Sequence, residues 1–181
     1  MRSHAYLFVD GSCSTATQIG AWTAIAVSPS YRKILYGSEY PTTISRCELL
    51  PIINGLRYIR DNWAFYAQYT VHVISDSEYT VKTLNGLNDR HKNKDLWDLV
   101  DIVSKSMQVQ YTWQERNSLY YMSVCDDIAG YIRRATTAGH EMYFKDMPQP
   151  EDGLLFTDTP EEMRDEYKSK LGIDNVSQNK S

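Results

Sequence analysis

The chain has 181 residues, a net charge of −4, 42% hydrophobic and 23% charged residues, which suits one ordinary globular domain with an appendage. No apolar run approaches the roughly 18 residues of a membrane span, and Met1-Arg2-Ser3-His4 leads into a strand without signal-peptide architecture. The widely spaced Cys13, Cys47 and Cys125 form no CxxC pattern and fit free thiols in a reducing, cytoplasmic setting.

The acidic surplus lies in residues 145–181, whereas residues 1–144 balance to zero. That is far from the basic footprint of many nucleic-acid binders. A group of acids neutralised by bound cations would nonetheless leave the larger part positive.

In chain order, residues 5–10 predict a strand with two apolar faces: Tyr6, Phe8 and Asp10 point one way, Leu7 and Val9 the other. It ends on Asp10-Gly11-Ser12, and an acid at the end of a buried strand is costly unless it caps a turn or finds a partner. Residues 19–27 and 32–40 predict two further strands, completing a meander. Gly20 allows a close approach of backbone.

A long helix is expected to run to about Trp63, with Leu49, Ile52, Ile53, Leu56 and Ile59 at helical spacing. Ser45 and Glu48 fit a capping box. Pro51 predicts a kink or a regular helix that starts near it. The fourth strand, 69–75, also ends on an acid, in Ser75-Asp76-Ser77. His72 on that strand reads as a packed or surface residue. A short helix over 78–84, a basic loop to Lys94, a helix over 95–107 and a strand over 109–113 follow. In the last helix, 121–135, Asp126 lies beside the buried stripe of Cys125, Ile128, Ala129 and Ile132, and Asp127 lies behind it.

The composition shifts after Gly139. Residues 140–158 read as an irregular strap, Thr159-Pro160-Glu161-Glu162 starts an acidic helix, and residues 173–181 are expected to be disordered. The expected domains are therefore 1–139 and a C-terminal extension, 140–181.

Asp10, Glu48, Asp76 and Asp126 thus come from four elements. Brought together they would repel and raise one another's pKa unless cations neutralised them. Oxygen ligands suit Mg2+ or Mn2+, and a pair of such ions suits phosphodiester hydrolysis.

The order β-β-β-α-β-α-α-β-α, with Phe8-Val9-Asp10-Gly11-Ser12-Cys13, Thr42-Thr43-Ile44-Ser45-Arg46-Cys47-Glu48-Leu49, Ser75-Asp76-Ser77 and Cys125-Asp126-Asp127-Ile128-Ala129, resembles type I ribonuclease H over about residues 4–137. Asn93-Lys94-Asp95-Leu96-Trp97 is similar to the start of the family's fourth helix. The resemblance implies an α/β fold with a five-stranded mixed sheet, three strands antiparallel and two parallel, and helices on both faces. It implies hydrolysis of the RNA strand of RNA–DNA hybrids, with two Mg2+ (or Mn2+) ions held by Asp10, Glu48, Asp76 and Asp126. Glu48 would also lie near the RNA 2′-hydroxyl. Thr43 would meet a DNA-strand phosphate, and Ser12, Cys13 and Arg46 would line the groove. A monomer is expected, with the extension available to a protein partner.

The chain departs from the family pattern. The segment Trp113-Gln114-Glu115-Arg116-Asn117-Ser118 carries no His where the family has one in a glycine-rich loop, and Glu78 replaces a Gln. The basic protrusion shrinks to the Arg90–Lys94 loop. These changes keep two alternatives open: a catalytically weak or inactive binding or scaffold module, or a nuclease of the same fold acting on another nucleic acid. An actin-like phosphotransferase is disfavoured, because glycine-rich phosphate loops are absent.

Overall fold

The computed structural model describes residues 2–29 and 31–138. The expected extension, 140–181, with its strap and acidic helix, and the domain boundary at 139/140 lie outside the described residues.

The elements run β1 (Ser3–Cys13), β2 (Gly20–Ser28), β3 (Tyr31–Glu39), α1 (Ile44–Asn62), β4 (Tyr69–Ser75), α2 (Glu78–Leu84), α3 (Lys94–Ser104), β5 (Gln108–Trp113) and α4 (Tyr120–Thr137), with a short 3-10 turn at Tyr66–Gln68. They form one sheet in the order β3-β2-β1-β4-β5. The β1/β2 and β2/β3 pairs are antiparallel, and β1/β4 and β4/β5 are parallel. This is the mixed sheet that the resemblance implies.

β1 is the central strand, and both of its faces are buried. Ala5, Leu7 and Val9 join Leu49, Ile52, Leu56 and Ile59 of α1 and Val100 and Val103 of α3 in one core cluster. Phe8 joins Ile25, Val27 and Ile74, together with Tyr121, Cys125, Ile128 and Ile132 of α4, in the other. The alternation along β1 therefore sorts its side chains into two cores, with helices on both faces.

One local expectation is corrected, and one of the two alternatives at Pro51 is removed. The capping box does not form. The N-cap of α1 is Thr43, whose carbonyl accepts from the Cys47 N–H at 3.1 Å, and Ser45 lies inside the helix. Glu48 is thereby left free of a capping role. The helix also runs unbroken from Ile44 through a buried Pro51 and does not begin near it. Pro51 has no N–H to offer the Cys47 carbonyl four residues earlier. That carbonyl lies instead against the end of β1, where a Cβ on Gly11 would fall 2.6 Å from it. A Cβ on Gly20 would likewise run into the Cys47 sulfur and Thr42, so the close approach expected at Gly20 is made to side chains.

Candidate metal centre

β1 and β4 are parallel with Phe8 level with Ile74, so two residues further on Asp10 and Asp76 come level at the same end of the sheet. α1 packs across β1, and the Gly11–Cys47 contact brings Glu48, the next residue of the helix, to that end too. One carboxylate oxygen from each of Asp10, Glu48 and Asp76 lies within 4.8 Å of the others. Asp10 and Glu48 are buried, and Asp76 is half-buried.

The charges are costly there. Burial, then the charges of Asp76 and Asp126, push the Asp10 carboxyl up to about 8. Burial, then Asp10 and Asp76, hold Glu48 well above the usual carboxylate range. Asp76 is raised by burial, with the Arg116 guanidinium pulling the other way. The Gly11 backbone N–H donates to both Asp10 and Glu48 and offsets a little of this. Glu48 Oε2 is buried with no hydrogen-bond partner among the described residues. A buried carboxylate oxygen left without a donor, beside two more carboxylates, is the donor set of a hard divalent cation. The residues therefore fit such an ion.

Asp126 is at the edge of this group. It exchanges a side-chain hydrogen bond with Asp10 but is not one of the three acids that converge. Its Oδ1 accepts from Arg116 at 2.8 Å. Asp127, the next residue of α4, is exposed as expected.

The expected groove residues have diverse partners. Ser12 Oγ accepts from Arg133 Nε at 2.8 Å. The Cys13 thiol is half-buried near the Thr42 carbonyl. Thr43 Oγ1 bonds Ser45 Oγ at 3.1 Å, and Ser45 accepts from the Asn93 amide, also at 3.1 Å. Arg46 is tied into the fold by Glu39 at 2.7 Å and by both carboxylate oxygens of Asp95 at 3.0 Å. In the basic loop, Arg90 is held by Asp101 and stacked over Trp97, and Lys94 pairs with Asp98. His91 and Lys92 instead line a cavity of about 360 Å³ with Ser45, Asn93 and Trp97.

Three residues quoted in the sequence reading make contacts at the site that it did not assign. Asn93 adopts a left-handed conformation, φ 60°, just before α3. Asn tolerates that conformation better than most residues, and it turns the amide toward Ser45. Trp113, exposed at the end of β5, donates its indole N–H to the Asp76 carbonyl at 3.1 Å. Arg116 faces the acids from the loop before α4. Only the three-dimensional pairing exposes these roles: Asn93 and Trp113 lie 48 and 37 positions from their partners, and Arg116 reaches Asp126 across the junction of loop and helix.

Comparison with known proteins places the fold first. It is similar to the N-terminal RNase H domain of a Mycobacterium tuberculosis protein, with a TM-score of 0.64 and 17% identity over 76% of this chain and 98% of that one. It is also similar to LC11-RNase H1 isolated from compost, with a TM-score of 0.64 and 13% identity over 75% and 99%. The architecture is thus that of the ribonuclease H-like α/β proteins.

Residues 2–118 match the RNase H family. A ribonuclease H of Solibacter usitatus is 31% identical over 137 residues, 68% of this chain and 90% of its own length. A ribonuclease HI of Neisseria meningitidis is 30% identical over 126 residues, 62% and 83%. The chain belongs to the ribonuclease H family of enzymes.

Proposed function

We propose that the protein hydrolyses the RNA strand of RNA–DNA hybrids, using two Mg2+ ions, with Mn2+ as a substitute. The observation that supports this most is the convergence of Asp10, Glu48 and Asp76 within 4.8 Å, with a buried Glu48 oxygen lacking a donor. Asp10, Glu48 and Asp76 would hold one ion. Asp10, with Asp126 at its side, would supply ligands to the other. When bound, the ions activate water and steady the leaving 3′ oxygen.

The chain's own groups do the rest. Glu48 would also accept from a 2′-hydroxyl, which separates RNA from DNA. Thr43, Ser45 and Asn93 form a hydroxyl, hydroxyl and amide chain beside His91 and Lys92, a set of donors suited to a backbone phosphate. Ser12, fixed by Arg133, and Cys13 border the site on the β1 side. Trp113 holds the Asp76 backbone from below. Arg46 would act by bracing α1 rather than by direct contact, because Glu39 and Asp95 occupy its guanidinium.

A second reading, a module that binds nucleic acid without cleaving it, draws support from the same ties. Arg46, Arg90 and Lys94 are all neutralised by carboxylates, which leaves the groove weakly cationic. The test is incubation of labelled RNA–DNA hybrid, double-stranded RNA and DNA with the full chain in Mg2+ or Mn2+, beside Asp10→Asn and Asp76→Asn. Metal-dependent cleavage of the hybrid's RNA strand, lost in both variants, is the expected result. Binding without cleavage would support the second reading. Preferential cleavage of another duplex would move the substrate and keep the chemistry.

A further inference from the structure

We propose that Arg116 is a resident cation that occupies Asp126, so that a second divalent ion binds only by displacing the guanidinium. This rests on the two-ion reading above and goes beyond it, because it assigns a competitor for the metal within the chain itself.

The geometry carries the argument. Arg116 lies on the loop between β5 and α4, and its guanidinium meets Asp126 Oδ1 at 2.8 Å. Asp126 in turn touches Asp10. The guanidinium also acts through its charge on Asp10, Asp76 and Glu48, so it partly neutralises the acids. Asp126 is the acid not gathered with the other three, and it is the one Arg116 holds. Three acids are thus assembled to take an ion, whereas the fourth is already engaged.

The pair is replaceable rather than permanent. The Arg116 side chain is 67% exposed and that of Asp126 26% exposed, and an ion pair open to water holds its partners weakly. The loop around it turns sharply, with Ser118 N–H donating to the Glu115 carbonyl and Asn117 at φ 55°. A divalent ion with a carboxylate in reach outcompetes a monovalent guanidinium for oxygen, but it must first break this contact and then tolerate the neighbouring positive charge. The consequence is a chain that takes its first ion readily and its second at a higher concentration.

The experiment is a Mn2+ titration of the full-length chain without nucleic acid, followed by electron paramagnetic resonance of the free ion and by calorimetry. Wild type is compared with Arg116→Ala, Arg116→Gln, Arg116→Lys, Asp126→Asn and the double variant Arg116→Ala/Asp126→Asn. In Arg116→Ala and Arg116→Gln the second ion should bind at about three- to fivefold lower concentration, the range for a partly exposed pair. First-ion binding should change less, and Arg116→Lys should stay near wild type. Raising the salt should narrow the gap, because it screens the pair. Asp126→Asn should remove the second ion and cancel the effect of Arg116→Ala.

Unchanged or weaker second-ion binding in both Arg116→Ala and Arg116→Gln overturns the proposal. So does a single bound ion in every variant, or a gain that persists when Asp126 is Asn. Hybrid cleavage is scored separately. A chain that binds ions as expected but leaves the hybrid intact defeats the proposed function alone. One that cleaves the hybrid but titrates identically without Arg116 defeats this inference alone.

Discussion

β1 and β4 lie side by side and run the same way, yet their two ends are used in opposite ways. At the starting end, aromatic rings and imidazoles pack on one another, although the Trp63 indole N–H is buried without a hydrogen-bond partner among the described residues. His4 Nδ1 meets His72 Nε2 at 2.8 Å, and Tyr6 stacks on His72 with ring centres 5.0 Å apart. Trp63 packs edge-on against Tyr69 and Tyr31 at 5.5 and 5.7 Å. At the finishing end, Asp10, Glu48 and Asp76 crowd together, and burial, with the charge of neighbouring acids, raises the pKa of each. One end of the sheet favours the folded state, and the other opposes it until a cation arrives. Such strain is affordable because the aromatic end and the two cores hold the strands in register.

The sharpest way to break the contrast is Asp10→Asn. It should lower metal-dependent hybrid cleavage by more than about a hundredfold. In the absence of divalent ions at pH 8 it should also raise stability, by about 1–3 kcal/mol, because a buried charge has been removed. Urea unfolding with and without Mg2+ checks this: a variant that is both inactive and less stable without metal would contradict the contrast.

The opposite end should respond the other way. Trp63→Ala should cost about 2–3 kcal/mol of stability, while cleavage per folded molecule stays close to wild type. Denaturant melts paired with kinetics well below the midpoint measure both.

The pH dependence comes next in size. The folded chain holds the Asp10 proton up to about pH 8, while the unfolded chain releases it near its ordinary value of 3.8. Between those values the folded state binds more protons. Stability without metal should therefore be greatest at the acidic side of this window and should fall as pH rises through it. Mg2+, which binds the ionised form, should flatten the profile and tighten with rising pH. A metal-free stability that climbs from pH 5 to pH 8 would refute the assignment of the raised pKa to this cluster.

The smallest effect is expected at the proposed phosphate-binding residues. Thr43→Ala or Asn93→Ala removes one neutral donor and should raise KM for hybrid about three- to tenfold with kcat little changed. A fall in kcat instead would place these residues in the chemistry.

Much of this was legible in the sequence, for physical reasons. The alternation of Tyr6, Leu7, Phe8, Val9 and Asp10 marked a strand buried on both faces, and the structure sorts those residues into two cores. Acids closing two apolar runs pointed to Asp10 and Asp76, although β1 continues past Asp10 to Cys13, paired with β2, and the helical stripe put Asp126 beside the core and Asp127 in water. Local patterns misled where tertiary contacts decide. Ser45 and Glu48 have capping spacing, but helix α1 starts earlier, and Ser45 spends its hydroxyl on Thr43 and Asn93. For Arg46, expected from the resemblance to line the groove, the sequence did not show the ties to Glu39 and Asp95, 7 and 49 positions away. No window of neighbouring residues reveals an ion pair of that separation.

The contact between Gly11 and the Cys47 backbone has one further consequence. A single methyl group at position 11 would have to push strand β1 and helix α1 apart. Asp10 is the residue before Gly11, and Glu48 is the residue after Cys47. Gly11→Ala would thus spread two of the proposed ligands while deleting neither, so the reach of the candidate metal centre is set by the absence of a side chain at a residue outside the proposed ligand set.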